Sequence, residues 1–240
     1  MDRYIELVKK TVNNSLYLGT DSPACEERYY AENEWKLPRS VVPHTLCNRQ
    51  QLDFLHRLMV HLHANDVQGD FLEAGVWRGG ACILMRAFIE TIPGERSVWL
   101  LDTFEGIPVS EPSSYVDEVD AWQDRWTAGL QEVRENFAAY GLLDARVKFV
   151  PGRIKESAPK MHQQTFALAR LDVDSYASYI EALEALLPRM TKGGCIVIDD
   201  WHLEPCREAV NDFRTAHGIR SPIAETFGGA WADAHWFVQE

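Results

Sequence analysis

The stretch Gly69–Gly80, GDFLEAGVWRGG, constrains this chain most. Phe71, Leu72, Ala74 and Val76 are apolar, and Gly75, Gly79 and Gly80 punctuate the run. Such a run reads as a buried strand ending in a tight turn, because glycine adopts the positive-φ conformations a sharp reversal requires. The next stretch, ACILMRAFIE (Ala81–Glu90), is apolar almost all round and predicts a helix packed hard on a sheet. A strand end and a helix N-terminus together offer unpaired N–H groups to a nucleotide-shaped ligand. The spacing is Glu73-x-Gly75-x-x-x-Gly79, not Gly-x-Gly-x-x-Gly, and taken alone it reads first as a plain turn.

A second acid strengthens the ligand reading. SVWLLD (Ser97–Asp102) predicts another buried strand, and it ends in a carboxylate. In nucleotide-binding α/β folds an acid at this point accepts both ribose hydroxyls. The alternative for Asp102 is an N-cap of the next helix.

The rest of the chain repeats the pattern. Tyr4, Leu7, Val8 and Val12 have helical spacing, and Asn13 to Val42 reads as a long arm, mostly loop. Leu52, Leu55, Leu58, Met59 and Leu62 predict a second amphipathic helix leading into the glycine stretch. Thr103–Asp120 is rich in Pro, Ser and acid and reads as a surface loop, expected to close over ligands together with the arm. Trp122, Trp126, Leu130, Val133 and Phe137 predict a helix that Gly141 ends. Further strands are expected at Val147–Gly152, Phe166–Asp174 and Gly193–Asp200, with helices through Tyr176–Leu187 and Cys206–Phe213. IAETF and HWFVQ flank the turn-like GGAWAD and predict an antiparallel hairpin at the sheet edge. The expected fold class is therefore α/β: a doubly wound, mainly parallel seven-stranded sheet with a C-terminal antiparallel hairpin and an N-terminal helical arm. One domain over 1–240 is expected, divided into an arm (1–42), a helix over the ligand (43–68) and the α/β core (69–240).

Charge and cysteine usage narrow the function classes. Twenty-four basic residues stand against 36 acidic ones, a formal net charge of -12, which argues against nucleic-acid binding and against an anionic membrane surface. Five cysteines (Cys25, Cys47, Cys82, Cys195, Cys206) form no C-x-x-C pair and read as reduced thiols of a cytoplasmic protein. MDRYIELVKK does not read as a signal peptide, and no apolar run is long enough to cross a bilayer.

Acids recur where ligands sit in such sheets, beyond the carboxyl ends of the strands. Asp172 and Asp174 end one strand, and Asp199 and Asp200 end the next. Four carboxylates so placed repel one another unless a cation lies among them. An all-oxygen set suits Mg²⁺. The alternative is that Asp174 caps its helix and Asp200 is solvated.

LEAGVWRGGA, LLDTFEGIP, RLDVDSY and GGCIVIDDW, in this order, resemble the macrocin O-methyltransferase family, and the resemblance runs from about Val42 to Trp236. It implies a Rossmann-like methyltransferase that uses S-adenosylmethionine and Mg²⁺ to methylate a sugar hydroxyl of a glycosylated small molecule such as a macrolide or aminocoumarin. Carried over, Glu73, Gly75 and Gly79 match the cofactor turn and Asp102 the ribose acid. Gly152 matches the turn beside the adenine. Thr45, in a Pro43–Thr45 segment resembling one that closes over the methionine end, joins Thr103 and Asp172 as cofactor contacts. Asp172, Asp199 and Asp200 match the metal ligands, and Asp174 the general base. A homo-oligomer is expected. Arg153 stands where the family often has an aromatic residue, Trp201 often replaces a tyrosine, and the arm before Pro43 is hard to match. The competing readings are a catechol or phenol acceptor, an NAD-dependent oxidoreductase and a non-catalytic binding protein. A catechol enzyme commonly places a lysine after the first metal aspartate, where this chain has DVDSY.

Overall fold

The computed structural model describes residues 2–18, 42–107, 127–161, 163–226 and 232–239. Its strands are β1 (Asp70–Ala74), β2 (Val98–Asp102), β3 (Val147–Pro151), β4 (Phe166–Leu171), β5 (Met190–Ile198), β6 (Ala224–Glu225) and β7 (Ala234–Phe237). Its helices are α1 (Asp2–Val12), α2 (Ser15–Leu18), α3 (Arg49–Ala64), α4 (Gly80–Glu90), α5 (Leu130–Ala139), α6 (Ile154–Ser157), α7 (Tyr176–Leu186) and α8 (Glu204–Ala216).

The strands form one sheet in the order β3-β2-β1-β4-β5-β7-β6. β1 to β5 are parallel, while β7 runs antiparallel to β5 and β6 antiparallel to β7. The expected C-terminal hairpin is present, although its first strand has only two residues. Strand order reverses between β1 and β4, the switch point where doubly wound sheets bind ligands.

Two apolar layers cover the sheet. Leu168, Cys195 and Val197 face α1, α3, α4 and α5. Ala169, Leu171, Ile196 and Ile198 face α7 and α8. Successive strand residues thus alternate between two cores. Both faces are buried, so the strands read as unbroken apolar runs rather than alternating ones.

Local chemistry sets the helix starts. Asn48 Oδ1 accepts from Gln51 N at 3.0 Å and Gln51 Oε1 accepts from Asn48 N at 2.8 Å, a reciprocal cap that begins α3. Ser175 Oγ accepts from Ser178 N at 3.2 Å and caps α7, so Asp174 is not the cap of that helix. Gly141, at φ 70°, follows α5 as expected.

The N-terminus departs from expectation in two ways. α1 exists, but it buries Ile5, Val8 and Val12, while Tyr4 and Leu7 face outward. That face adds Ile5 to the apolar set and also carries the buried Lys9, whose Nζ lies 2.8 Å from Asp53 Oδ1 and 2.9 Å from Glu6 Oε1. α1 also packs into the core and holds the chain beyond it, because Val12 O accepts from His44 N (2.7 Å) and Thr45 N (3.2 Å). Residues 19–41 of the arm, most of the 103–120 loop, and Trp122 and Trp126 lie outside the described residues. Among the described residues no helix is long and apolar enough to cross a membrane.

Candidate active site

The carboxyl ends of the five parallel strands share one layer. Gly152 N donates to Asp102 O, Gly75 N to Leu101 O, Asp172 N to Ala74 O and Asp199 N to Leu171 O, all at 2.9 Å. The sheet ladder therefore runs one residue past β1, β3, β4 and β5 and aligns Gly152, Asp102, Gly75, Asp172 and Asp199 across the switch point.

The glycine turn is shaped by its neighbours. Gly75 has φ 77°, and a Cβ there would sit 1.6 Å from Asp172 O. The bare backbone is needed first to let β4 approach, a packing reason that precedes any ligand. A Cβ on Gly80 would lie 2.6 Å from the His44 carbonyl, whose oxygen accepts from Gly80 N at 2.8 Å. The Pro43–Thr45 segment thus lies directly on the first turn of α4.

Asp102 stitches β2 to this turn. Its Oδ2 accepts from Val76 N (2.7 Å) and Trp77 N (3.3 Å), and its Oδ1 from Phe104 N (2.8 Å). Burial raises its pKa and these amides only partly offset that. Thr103 Oγ1 donates to Gly106 O at 2.7 Å. Asp102 thus caps the turn.

The acids of β4 and β5 converge on a residue that sequence reading did not single out. Arg170 is 4% exposed and lies within the fully buried β4. Its Nη1 donates to Glu73 and, at 2.8 Å, to Asp172 Oδ2; its Nη2 donates to Asp199 Oδ1 and, at 3.1 Å, to Cys47 Sγ. Glu73 is therefore part of a buried ion pair and also accepts from Cys82 Sγ at 2.9 Å. An arginine in FALARL, a strand with no solvent-facing side, was the available signal, because a buried guanidinium requires acids around it.

Asp200 is buried and held at one oxygen. Oδ2 accepts from Val173 N (3.1 Å) and Asp174 N (3.0 Å) and lies 2.9 Å from Tyr179 Oη. Asp174 is at φ 59°, so a left-handed backbone points its N–H at Asp200. Carboxylate oxygens of Asp172, Asp174 and Asp200 come within 4.8 Å of one another. Asp199 is turned to Arg170 and is not in that trio.

Three carboxyls, on Glu73, Asp172 and Asp199, thus meet one guanidinium, and those of Asp174 and Asp200 lie beside Asp172. Burial and then mutual repulsion push Asp172 and Asp174 well above the usual carboxylate range, and Asp200 up to about 6. Asp233, also absent from the sequence reading, is raised to about 8 by burial and by Asp199, and accepts from Gln51 Nε2 at 2.8 Å. This excess of oxygen donors and negative charge fits a hard divalent cation.

The macrocin-O-methyltransferase (TylF) family pattern matches residues 26–232. The chain belongs to this O-methyltransferase family. A family relative from Streptomyces olivaceus, 8-demethyl-8-(2,3-dimethoxy-alpha-L-rhamnosyl)-tetracenomycin-C 4'-O-methyltransferase, is 39% identical over 238 residues, covering 95% of this chain and 90% of the relative. Mycinamicin III 3''-O-methyltransferase of Micromonospora griseorubida is 32% identical over 240 residues, covering 94% of this chain and 93% of that one. The solved structure of the O-methyltransferase NovP has a TM-score of 0.86 at 30% identity, covering 100% of this chain and 99% of NovP. The macrocin O-methyltransferase fold, with its mostly parallel seven-stranded sheet and antiparallel C-terminal strands, is therefore the fold of this chain.

Proposed function

We propose that this protein methylates a sugar hydroxyl of a glycosylated natural product, using S-adenosylmethionine and Mg²⁺. The observation that carries this reading is the acidic centre at the ends of β4 and β5, one strand from the glycine turn at the switch point. The two relatives above are named for methylating rhamnosyl-tetracenomycin and mycinamicin, which supports a glycosylated acceptor.

Glu73, Gly75 and Gly79 shape the cofactor turn, Thr45 and Thr103 flank it, and Asp102 presents its carboxylate to the ribose. Gly152, just past β3 and two strands out, matches the family turn that lies beside the adenine. Bound S-adenosylmethionine supplies an electrophilic methyl on a group that leaves unaided. Asp172, Asp199 and Asp200 would hold Mg²⁺, which supplies acidification of a hydroxyl that is a poor nucleophile at neutral pH. Asp174 accepts the hydroxyl proton, and its proximity to Asp172 and Asp200 puts that base beside the cation's ligands. Tyr179 and the amides of Val173 and Asp174 orient Asp200.

The test is transfer of labelled methyl from S-adenosylmethionine to glycosylated macrolides, aminocoumarins and aromatic polyketides, with Mg²⁺ or chelator. Transfer to a sugar hydroxyl that chelator abolishes is expected. Methylation of catechols with none of these glycosides would refute the acceptor assignment, and full activity in chelator would refute the metal.

A further inference from the structure

Four chain segments meet on the Arg170 guanidinium. Glu73 comes from β1 beside the cofactor turn, Asp172 and Asp199 from the ends of β4 and β5, and Cys47 from the segment seated on α4. Two of these partners, Asp172 and Asp199, are carboxylates assigned above to the divalent ion. A carboxylate oxygen turned to a guanidinium is not wholly available to a second cation, and Asp199 is the acid that stands apart from the trio. Without any cation, the buried and half-buried acids would face one another with no compensating charge.

We propose that Arg170 is the resident counter-cation of the acidic centre: it holds Asp172 and Asp199 in place when no divalent ion is bound, and competes with that ion for both carboxylates. The proposal rests on the metal assignment under Proposed function. It makes Arg170 a positioning residue with two opposed effects. It stabilises the empty centre, and it weakens the centre's hold on the ion.

The test compares wild type, Arg170→Gln and Arg170→Lys, by Mg²⁺ calorimetry and by thermal melting in chelator and in saturating Mg²⁺. Arg170→Gln is expected to bind Mg²⁺ roughly tenfold or more tightly, the size of the effect of a nearby unit charge on a divalent ion even at the dielectric of bulk water. Its melting temperature should fall in chelator and recover more in Mg²⁺ than wild type gains. Arg170→Lys keeps the charge and should return the affinity toward wild type. A merely structural arginine would lower both melting temperatures equally and leave affinity unchanged or weaker, and that result overturns the proposal. If Arg170→Gln does not fold, the double variant E73Q/R170Q removes the buried pair as a unit and is read the same way. Mg²⁺ binding by wild type with no tightening in the variant overturns the Arg170 role alone. Binding by the variant but not by wild type supports it, and binding by neither overturns it together with the metal assignment.

Discussion

Removing a single oxygen atom tests how the acidic centre is held. Tyr179 is fully buried, and its Oη lies 2.9 Å from both Asp200 Oδ2 and Leu171 O and accepts from Asp200 N at 3.3 Å. Tyr179→Phe keeps the ring and its packing, so no cavity term enters. A hydrogen bond to a charged partner contributes about 1.5–3 kcal/mol, so a loss of about 2 kcal/mol is expected. For a chain of this size that corresponds to a melting temperature lower by about 4–8 °C. A freed Asp200 should also lower Mg²⁺ affinity by about 10–100-fold, the usual consequence of removing a group that orients a ligand. The control is Tyr176→Phe, whose hydroxyl bonds the exposed Asp212 at 2.9 Å and should shift stability by no more than about 0.5 kcal/mol. Thermal melting in chelator and Mg²⁺ calorimetry on both variants decide the matter. A Tyr179→Phe protein that matches wild type in both measurements would show that this hydroxyl does not position Asp200.

Other outcomes rest on the same geometry. Asp102→Ala removes the acceptor of three backbone amides and the proposed ribose partner, so S-adenosylmethionine binding measured by calorimetry should weaken by about 1–3 kcal/mol. Asp174→Asn should lower turnover by about 10²–10⁴-fold with Mg²⁺ affinity nearly unchanged, and a large loss of affinity instead would make Asp174 a ligand rather than the base. Gly75→Ala would drive a methyl into the Asp172 carbonyl, and purification of a folded variant with wild-type melting would contradict the close approach of β1 and β4. The pH dependence of stability has a definite sign. Burial raises Asp200 to about 6 and Asp233 to about 8, so their contribution is fully present below about pH 4 and is lost as pH rises through those values. Denaturant melts in chelator should show the protein less stable at pH 8 than at pH 5.5, and Mg²⁺ should reduce the difference.

The sequence alone determined the local grammar. Strand, glycine turn and the start of a helix are written within the single stretch 69–80. The acids that close β2, β4 and β5 are equally legible, because Asp102, Asp172 and Asp199 each end or directly succeed an apolar run. Sheet class followed because buried parallel strands leave continuous apolar runs and helices leave a 3.6-residue period. The partners of those acids were decided only in three dimensions. Arg170 meets Glu73 across 97 positions and Asp199 across 29, and Gln51 meets Asp233 across 182. The buried face of α1 carries Ile5, Val8 and Val12 together with Lys9, whose partner Asp53 lies 44 positions away, and it leaves Tyr4 and Leu7 outward. Hydropathy and spacing report which side chains leave water. Which buried charge finds which depends on strand order and register, and those emerge only when the whole sheet is assembled.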